Sequence, residues 1–302
     1  MKKALVIGGA VLIVAVVCIA VVAQRGRDPV QGMEALAAST AGASTAPAPS
    51  PASAVEATGV ESAVPVAQAP DSGSGLAAIR QAAEANKHLF VFVYAADDEL
   101  TRAARKTVES AMAKMPDTAQ WVAVDRGAPA EKGLVDIYRL GAAPMPLVLV
   151  VAPNGAITGG IVGPQVNEEA LQNALASPCM QKCLKALQEG KLVFLCAQNK
   201  TTTANEAAMK GVNDFKADVR FAKFTEIVQV DPADAAEGKF LAQLKIEPKA
   251  DEAVTAFLAP PGAIVATYTG ATDKNTLVTA ITTAASGGCG PSGCGPASSG
   301  CN

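Results

Sequence analysis

Seven cysteines stand in a chain of 302 residues, and their spacing sorts them by chemistry. Cys179 and Cys183 follow Ser177 and Pro178, a pair suited to opening a helix: serine caps free amides, and proline pre-sets the first helical φ. A spacing of four is one helical turn, so both thiols share a face. The positive end of the helix dipole, with Lys182 and Lys185 close by, favours a thiolate at Cys179. The two are therefore candidates for thiol exchange or soft-metal binding. Within an intact helix such a pair is badly aimed for a disulfide. Cys289, Cys294 and Cys301 sit among Gly, Ser and Pro with no apolar neighbours to bury them. They are candidate ligands for Cu or Zn, or a mobile dithiol exchanging with Cys179 and Cys183. The plainer alternative is a disordered tail carrying a Cys289–Cys294 disulfide. Cys196 closes an apolar run and reads as a small core residue.

The only histidine, His88, rules out His-rich metal sites and Cys–His dyads unless His88 itself takes part. Just ahead of an apolar run, it reads as a solvated residue at the start of a strand. A net charge of −3 leaves no basic footprint, so nucleic-acid binding is discounted. Seven cysteines without zinc-ligand spacing point to an oxidising compartment. No other cofactor is expected.

The N-terminal residues 1–27 read as a membrane anchor or a signal. Lys2 and Lys3 precede an unbroken apolar run over 4–23, long enough to cross a bilayer. Cys18 lies within that run; Val17 before it is too large for a lipidation site, so the thiol is a plain one. The expected location is a bacterial inner membrane, held by a single N-terminal helix with the domains in the periplasm. The alternative is secretion after cleavage near Ala23. Residues 28–74 are Ala, Pro, Ser, Thr and Gly with few charges, a disordered linker. Such a coil spans on the order of 35–40 Å and holds folded domains off a membrane surface.

Beyond the linker the chain reads as α/β, in two similar halves. The first has a helical face from Leu76, a buried strand at 89–94, a helix at 98–115 and a strand at 121–124. A helix at 131–140 follows. Pro144 and Pro146 then lead into a strand at 147–151, the turn Pro153-Asn154-Gly155, a strand ending at Gly163, and a closing helix over 167–176. In the second half 191–196 repeats 89–94, and 228–231 repeats 122–125. Residues 259–270 repeat 152–163, and 275–284 repeat the closing helix. Ordered matches along nearly one offset indicate a tandem duplication.

This arrangement resembles the thioredoxin fold over roughly residues 76–177 and 178–285. The resemblance implies two tandem domains, 75–177 and 178–285, each a mixed central sheet with flanking helices, followed by a flexible Cys/Gly/Pro tail over 286–302. It also implies a cis-proline at Pro146. In that family a Cys-x-x-Cys opens the helix after the first buried strand. Here those positions fall near 98–101 and 200–203, and neither holds a cysteine. Asp97 or Asp98 reads as a helix cap, with Glu99 favoured by the dipole. Thr203 and Glu206 have capping-box spacing. Cys196 aligns with Tyr94. Ala253 stands where the first copy has Pro146, with Pro248 as a possible displaced counterpart. Copper-binding relatives carry a Cys-x-x-x-Cys after the first strand with a partner histidine, whereas Cys179 and Cys183 precede theirs and have none. The expected function is a tethered, extracytoplasmic binding or scaffold module for a protein partner, without a catalytic dithiol. The alternatives are a thiol–disulfide oxidoreductase using Cys179, Cys183 and the tail, or soft-metal binding by the tail.

Overall fold

The computed structural model describes residues 74–286. The expected membrane segment, nearly all of the linker, Cys18 and the tail thiols Cys289, Cys294 and Cys301 lie outside the described residues. Among those described, no helix is long and apolar enough to cross a membrane.

The first unit contains α1 (Ser74–Glu84), β1 (His88–Tyr94), α2 (Glu99–Ala113), β2 (Ala119–Asp125), α3 (Lys132–Ile137), β3 (Leu147–Val151), β4 (Ile157–Val162) and α4 (Glu168–Asn173). The second contains α5 (Pro178–Gln188), β5 (Leu192–Ala197), α6 (Asn205–Lys216), β6 (Thr225–Val230), α7 (Gly238–Gln243), β7 (Val254–Ala259), β8 (Ala263–Thr269) and α8 (Lys274–Ser286). The sheets run β2-β1-β3-β4 and β6-β5-β7-β8. In each, the first pairing is parallel and the other two are antiparallel.

The apolar run His-Leu-Phe-Val-Phe-Val-Tyr becomes β1 because that strand is covered on both faces. Leu89, Val91 and Val93 pack with Ala82 of α1 and Leu134 of α3. Phe90 and Phe92 pack with Ala104 and Val108 of α2 and Leu171 of α4. The second unit repeats this with Val193 and Leu195 on the α5 and α7 side, and Phe194 and Cys196 on the α6 and α8 side. Phe194 stacks on Phe257 at 4.3 Å between centroids and meets Phe215 edge-on at 5.1 Å. Each buried phenylalanine contributes about 1.5–3 kcal/mol by leaving water.

Strand register corrects one sequence match. Leu89 faces Val151 and Val193 faces Leu258, so Cys196 is the counterpart of Phe92 rather than Tyr94. Both are interior positions of a central strand, and a two-residue slip keeps a side chain on the same sheet face. That is why the apolar pattern alone did not resolve it.

The first helix of each unit is capped from a distance. Glu131 accepts from Ser74 Oγ at 2.6 Å and from the Gly75 amide at 3.1 Å. In the second unit Glu237 accepts from Ser177 Oγ and from the Cys179 amide, the latter at 2.8 Å. Both carboxylates are buried, at 5% and 2% exposure. Ser177 occupies the N-cap position but makes no side-chain cap of its own.

The units are joined through α5 and the residues before it. The Gln188 carboxamide accepts from the Ile157 amide at 2.9 Å and donates to the Ile157 carbonyl at 2.7 Å, closing the start of the β4 edge. The counterpart of Ile157 in β8, Ile264, is 51% exposed. His88 is not a solvated residue: it is 8% exposed, and its Nε2 accepts from the Ala176 amide at 3.2 Å.

Candidate functional site

Three segments meet at one end of the first sheet: the loop after β1, the loop before β3, and the turn after β4. Asp98 caps α2, accepting from the Thr101 amide at 2.8 Å. That amide holds the Asp98 carboxyl below its usual range, so the cap is an anion at the positive end of the helix. The Arg105 guanidinium lies over the Tyr94 ring, 4.8 Å from its centroid. Arg126, just past β2, donates to the Gly141 carbonyl at 3.2 Å and the Ala143 carbonyl at 3.0 Å, which fixes the segment leading to Met145.

The Met145–Pro146 peptide is cis, at the proline singled out by the sequence. Both units are thioredoxin-like folds. The strand order and the parallel and antiparallel pairings carry that assignment in both units, joined in the first by this proline.

In the first thioredoxin-like unit this corner is open and free of sulfur other than the Met145 thioether. Among the described residues, none makes a hydrogen bond to the Met145 amide or carbonyl. Pro146 is buried, and its carbonyl accepts from the Gly163 amide at 2.7 Å. A Cβ at Gly163 would lie 3.4 Å from Leu100 Cδ2 and 3.9 Å from Pro146 Cδ, so the two side chains converge over the space that glycine leaves. Leu100 is 41% exposed. The result is an apolar floor beside the Met145 backbone, which has no hydrogen-bond partner among the described residues.

In the second thioredoxin-like unit the corner is shut by its own chain. The Gly270 amide donates to the Ala253 carbonyl at 2.7 Å, which makes Ala253, not Pro248, the counterpart of Pro146. The Ala253 amide donates to the Thr203 carbonyl, and the Thr203 amide to the Asp251 carbonyl, both at 2.9 Å. A proline at 253 would have no amide to give. Behind this bridge Asn199 knots the loop. Its Oδ1 accepts from the Thr201 amide at 2.9 Å, and its Nδ2 donates to Asp231 at 2.8 Å. The expected capping box at Thr203 and Glu206 is absent: α6 starts at Asn205 after Ala204 at φ 60, without a side-chain cap. Thr203 is spent on the bridge instead.

The cysteines lie elsewhere. Cys179 and Cys183 are on α5, ahead of the second sheet, and Cys196 is inside β5; all three are free thiols. The expectation that the helix terminus activates Cys179 does not hold. Burial pushes its thiol up to about 11, and the Glu237 carboxylate at the same helix end adds to the shift, with only Lys182 opposing. Cys183 is pushed up to about 12 by burial, then by Cys179 and Glu237. Burial takes Cys196 to about 11. The positive helix end is already matched by a carboxylate, so it has little left to offer a thiolate. Among the described residues no group of three or more His, Cys, Asp or Glu side chains is placed to hold a metal ion. The tail thiols proposed as Cu or Zn ligands lie outside them.

Arg126, Glu131 and Glu237 were not singled out by the sequence. Glu131 and Glu237 each immediately precede a short helix, at corresponding places in the two copies. That repetition of a lone carboxylate was the available signal. Arg126 left none.

No protein-family model matches the chain, and no curated protein matches it. Among solved structures, the oxidised thioredoxin of Plasmodium falciparum is 18% identical, covering 32% of this chain and 81% of its own, at a TM-score of 0.25. The first two thioredoxin domains of Naumovozyma dairenensis Eps1p are 11% identical, covering 70% and 93%, at 0.26. Human ERp44 form II is 13% identical, covering 74% of this chain and 60% of its own, at 0.31.

Proposed function

We propose that this chain is a protein-binding module in which the first thioredoxin-like unit holds an extended segment of a partner at Met145 and Pro146, without dithiol chemistry. The reading rests on one contrast. The corner is open in the first unit and bridged by Thr203 and Ala253 in the second, and neither corner holds a cysteine. The amide and carbonyl of Met145, without a partner among the described residues, offer a partner backbone two strand-type hydrogen bonds, and Leu100 offers an apolar contact beside them. The proposed setting is outside the cytoplasm, tethered through residues 4–23.

The test is binding of a fluorescein-labelled, reduced and alkylated insulin B chain, an extended apolar peptide, read by anisotropy on the full chain. Saturable binding that weakens about tenfold in Leu100→Asp, and is untouched by Thr203→Val in the closed corner, supports the reading. Binding indifferent to Leu100→Asp removes it.

A further inference from the structure

The two units are linked by a run of hydrogen bonds centred on Ala176, in the connector between α4 and α5. Its amide donates to His88 Nε2 of the first unit at 3.2 Å. Its carbonyl accepts from Gln181 Nε2 of the second unit at 2.8 Å. The Gln181 carbonyl in turn accepts from Asn154 Nδ2 of the first unit at 2.8 Å. The connector is thus gripped from both sides, and the grip at its amide depends on an imidazole nitrogen that carries no proton. His88 lines a cavity of about 700 Å³ between the units, together with Asp117, Asn173, Pro178 and Lys239.

We propose that His88 is a proton-operated latch on this joint: the neutral ring holds the Ala176 amide and keeps the two units docked, and the protonated ring releases it. A nitrogen that accepts a hydrogen bond fixes the ring proton on the other nitrogen. Adding a second proton places one donor against another, and the Ala176 amide must turn away or stay unpaired. The charged groups facing the cavity divide. Asp117 attracts an imidazolium and Lys239 of α7 repels it, while the end of α5 at Pro178 is already matched by the Glu237 carboxylate. Lys87, next in the chain, directs its ammonium to the Pro116 carbonyl at 2.6 Å. Burial is the largest influence and outweighs the backbone hydrogen bonds at Thr118 and Ala176 that favour the charged ring, so the His88 pKa lies below its ordinary 6.5.

The direction follows from linkage. Above the ordinary pKa the open and closed joints are both neutral at His88, and the latch is at full strength. As pH falls through 6.5 the open joint takes up its proton first, so closure weakens until the closed ring also titrates. In that window opening becomes about tenfold more frequent per pH unit.

Because His88 is the only histidine in the chain, its ring signals are unambiguous in nitrogen-15 NMR of the full protein. At neutral pH the Nε2 resonance should be that of an unprotonated acceptor. On acidification below 6.5 the Ala176 amide should lose exchange protection about tenfold per pH unit until the ring of the docked protein itself titrates. The His88→Gln chain, which retains an acceptor oxygen but cannot titrate, should keep that protection. An Ala176 amide that ignores the ring titration overturns the latch, as does an unchanged acid response in His88→Gln. If that variant does not fold, the wild-type titration decides alone.

Discussion

Ala253 and Pro146 occupy one place in two copies of a unit: each carbonyl accepts at 2.7 Å from the glycine just past the last strand of its unit, Gly270 and Gly163 respectively. What separates them is a single amide hydrogen. Ala253 uses it to bind the Thr203 carbonyl and close its corner; Pro146 has none, and its corner stays open.

Ala253→Pro should therefore open the second corner. The Thr203 carbonyl loses its partner, and because Thr203 is exposed the lost bond costs about 0.5–1.5 kcal/mol. Urea unfolding should show a lower midpoint with an unchanged slope, and the Thr203 and Ala253 region should gain hydrogen exchange. A variant as stable and as protected as the parent would mean the bridge is not what closes this corner.

Thiol reactivity gives a second prediction. Cys179 is pushed up to about 11 and Cys183 to about 12, so neither should show an ionisation step near neutral pH. Alkylation of Cys179 by iodoacetamide should keep rising about tenfold per pH unit through the ordinary thiol range near 8.5. A plateau below that value would show an activated thiolate.

Glu237→Gln should move the Cys179 thiol pKa downwards, since it removes the second-largest cause of the shift. Burial is the largest and remains, so the thiol should not return to its ordinary value. Glu237→Ala leaves the Cys179 amide and the Ser177 hydroxyl without partners and should cost about 1–3 kcal/mol. Glu131→Ala should do the same to α1, where the acceptor serves Ser74 and Gly75. A chain indifferent to both replacements would leave the distant carboxylates without a capping role.

Gln188→Ala should strip both hydrogen bonds from the Ile157 backbone. Each such bond contributes about 0.5–1.5 kcal/mol net. The clearest readout is local: the Ile157 amide should lose exchange protection while amides inside β3 keep theirs.

The sequence announced the sheets plainly. The run around Phe90 and Phe92, the Pro-Asn-Gly turn and Met145-Pro146 are local signals, and each lies where the structure has a buried strand, a turn with Gly155 at φ +80, and a cis peptide. The absence of cysteine at both corners was readable for the same reason. What escaped depended on partners far along the chain. The Glu237 carboxylate meets the α5 terminus across 58 residues, so a serine and a proline beside Cys179 suggested an activated thiol where the fold supplies a suppressed one. His88 looked solvated because the Ala176 amide that buries it is 88 residues away. Thr203 has the spacing of a cap, but its backbone is drawn to Asp251 and Ala253 instead, and Ala204 takes the left-handed turn that delays the helix. The slip at Cys196 has a different origin: alternation along a central strand repeats every second residue and does not fix register.

The central claim is that this pair of thioredoxin-like units works without thiol turnover. Reduction of insulin disulfides by the full chain in the presence of dithiothreitol measures it most directly. The rate should equal that of dithiothreitol alone and should not change in the Cys179→Ser, Cys183→Ser chain. Reduction well above that background, lost when Cys179 is replaced, would contradict the claim.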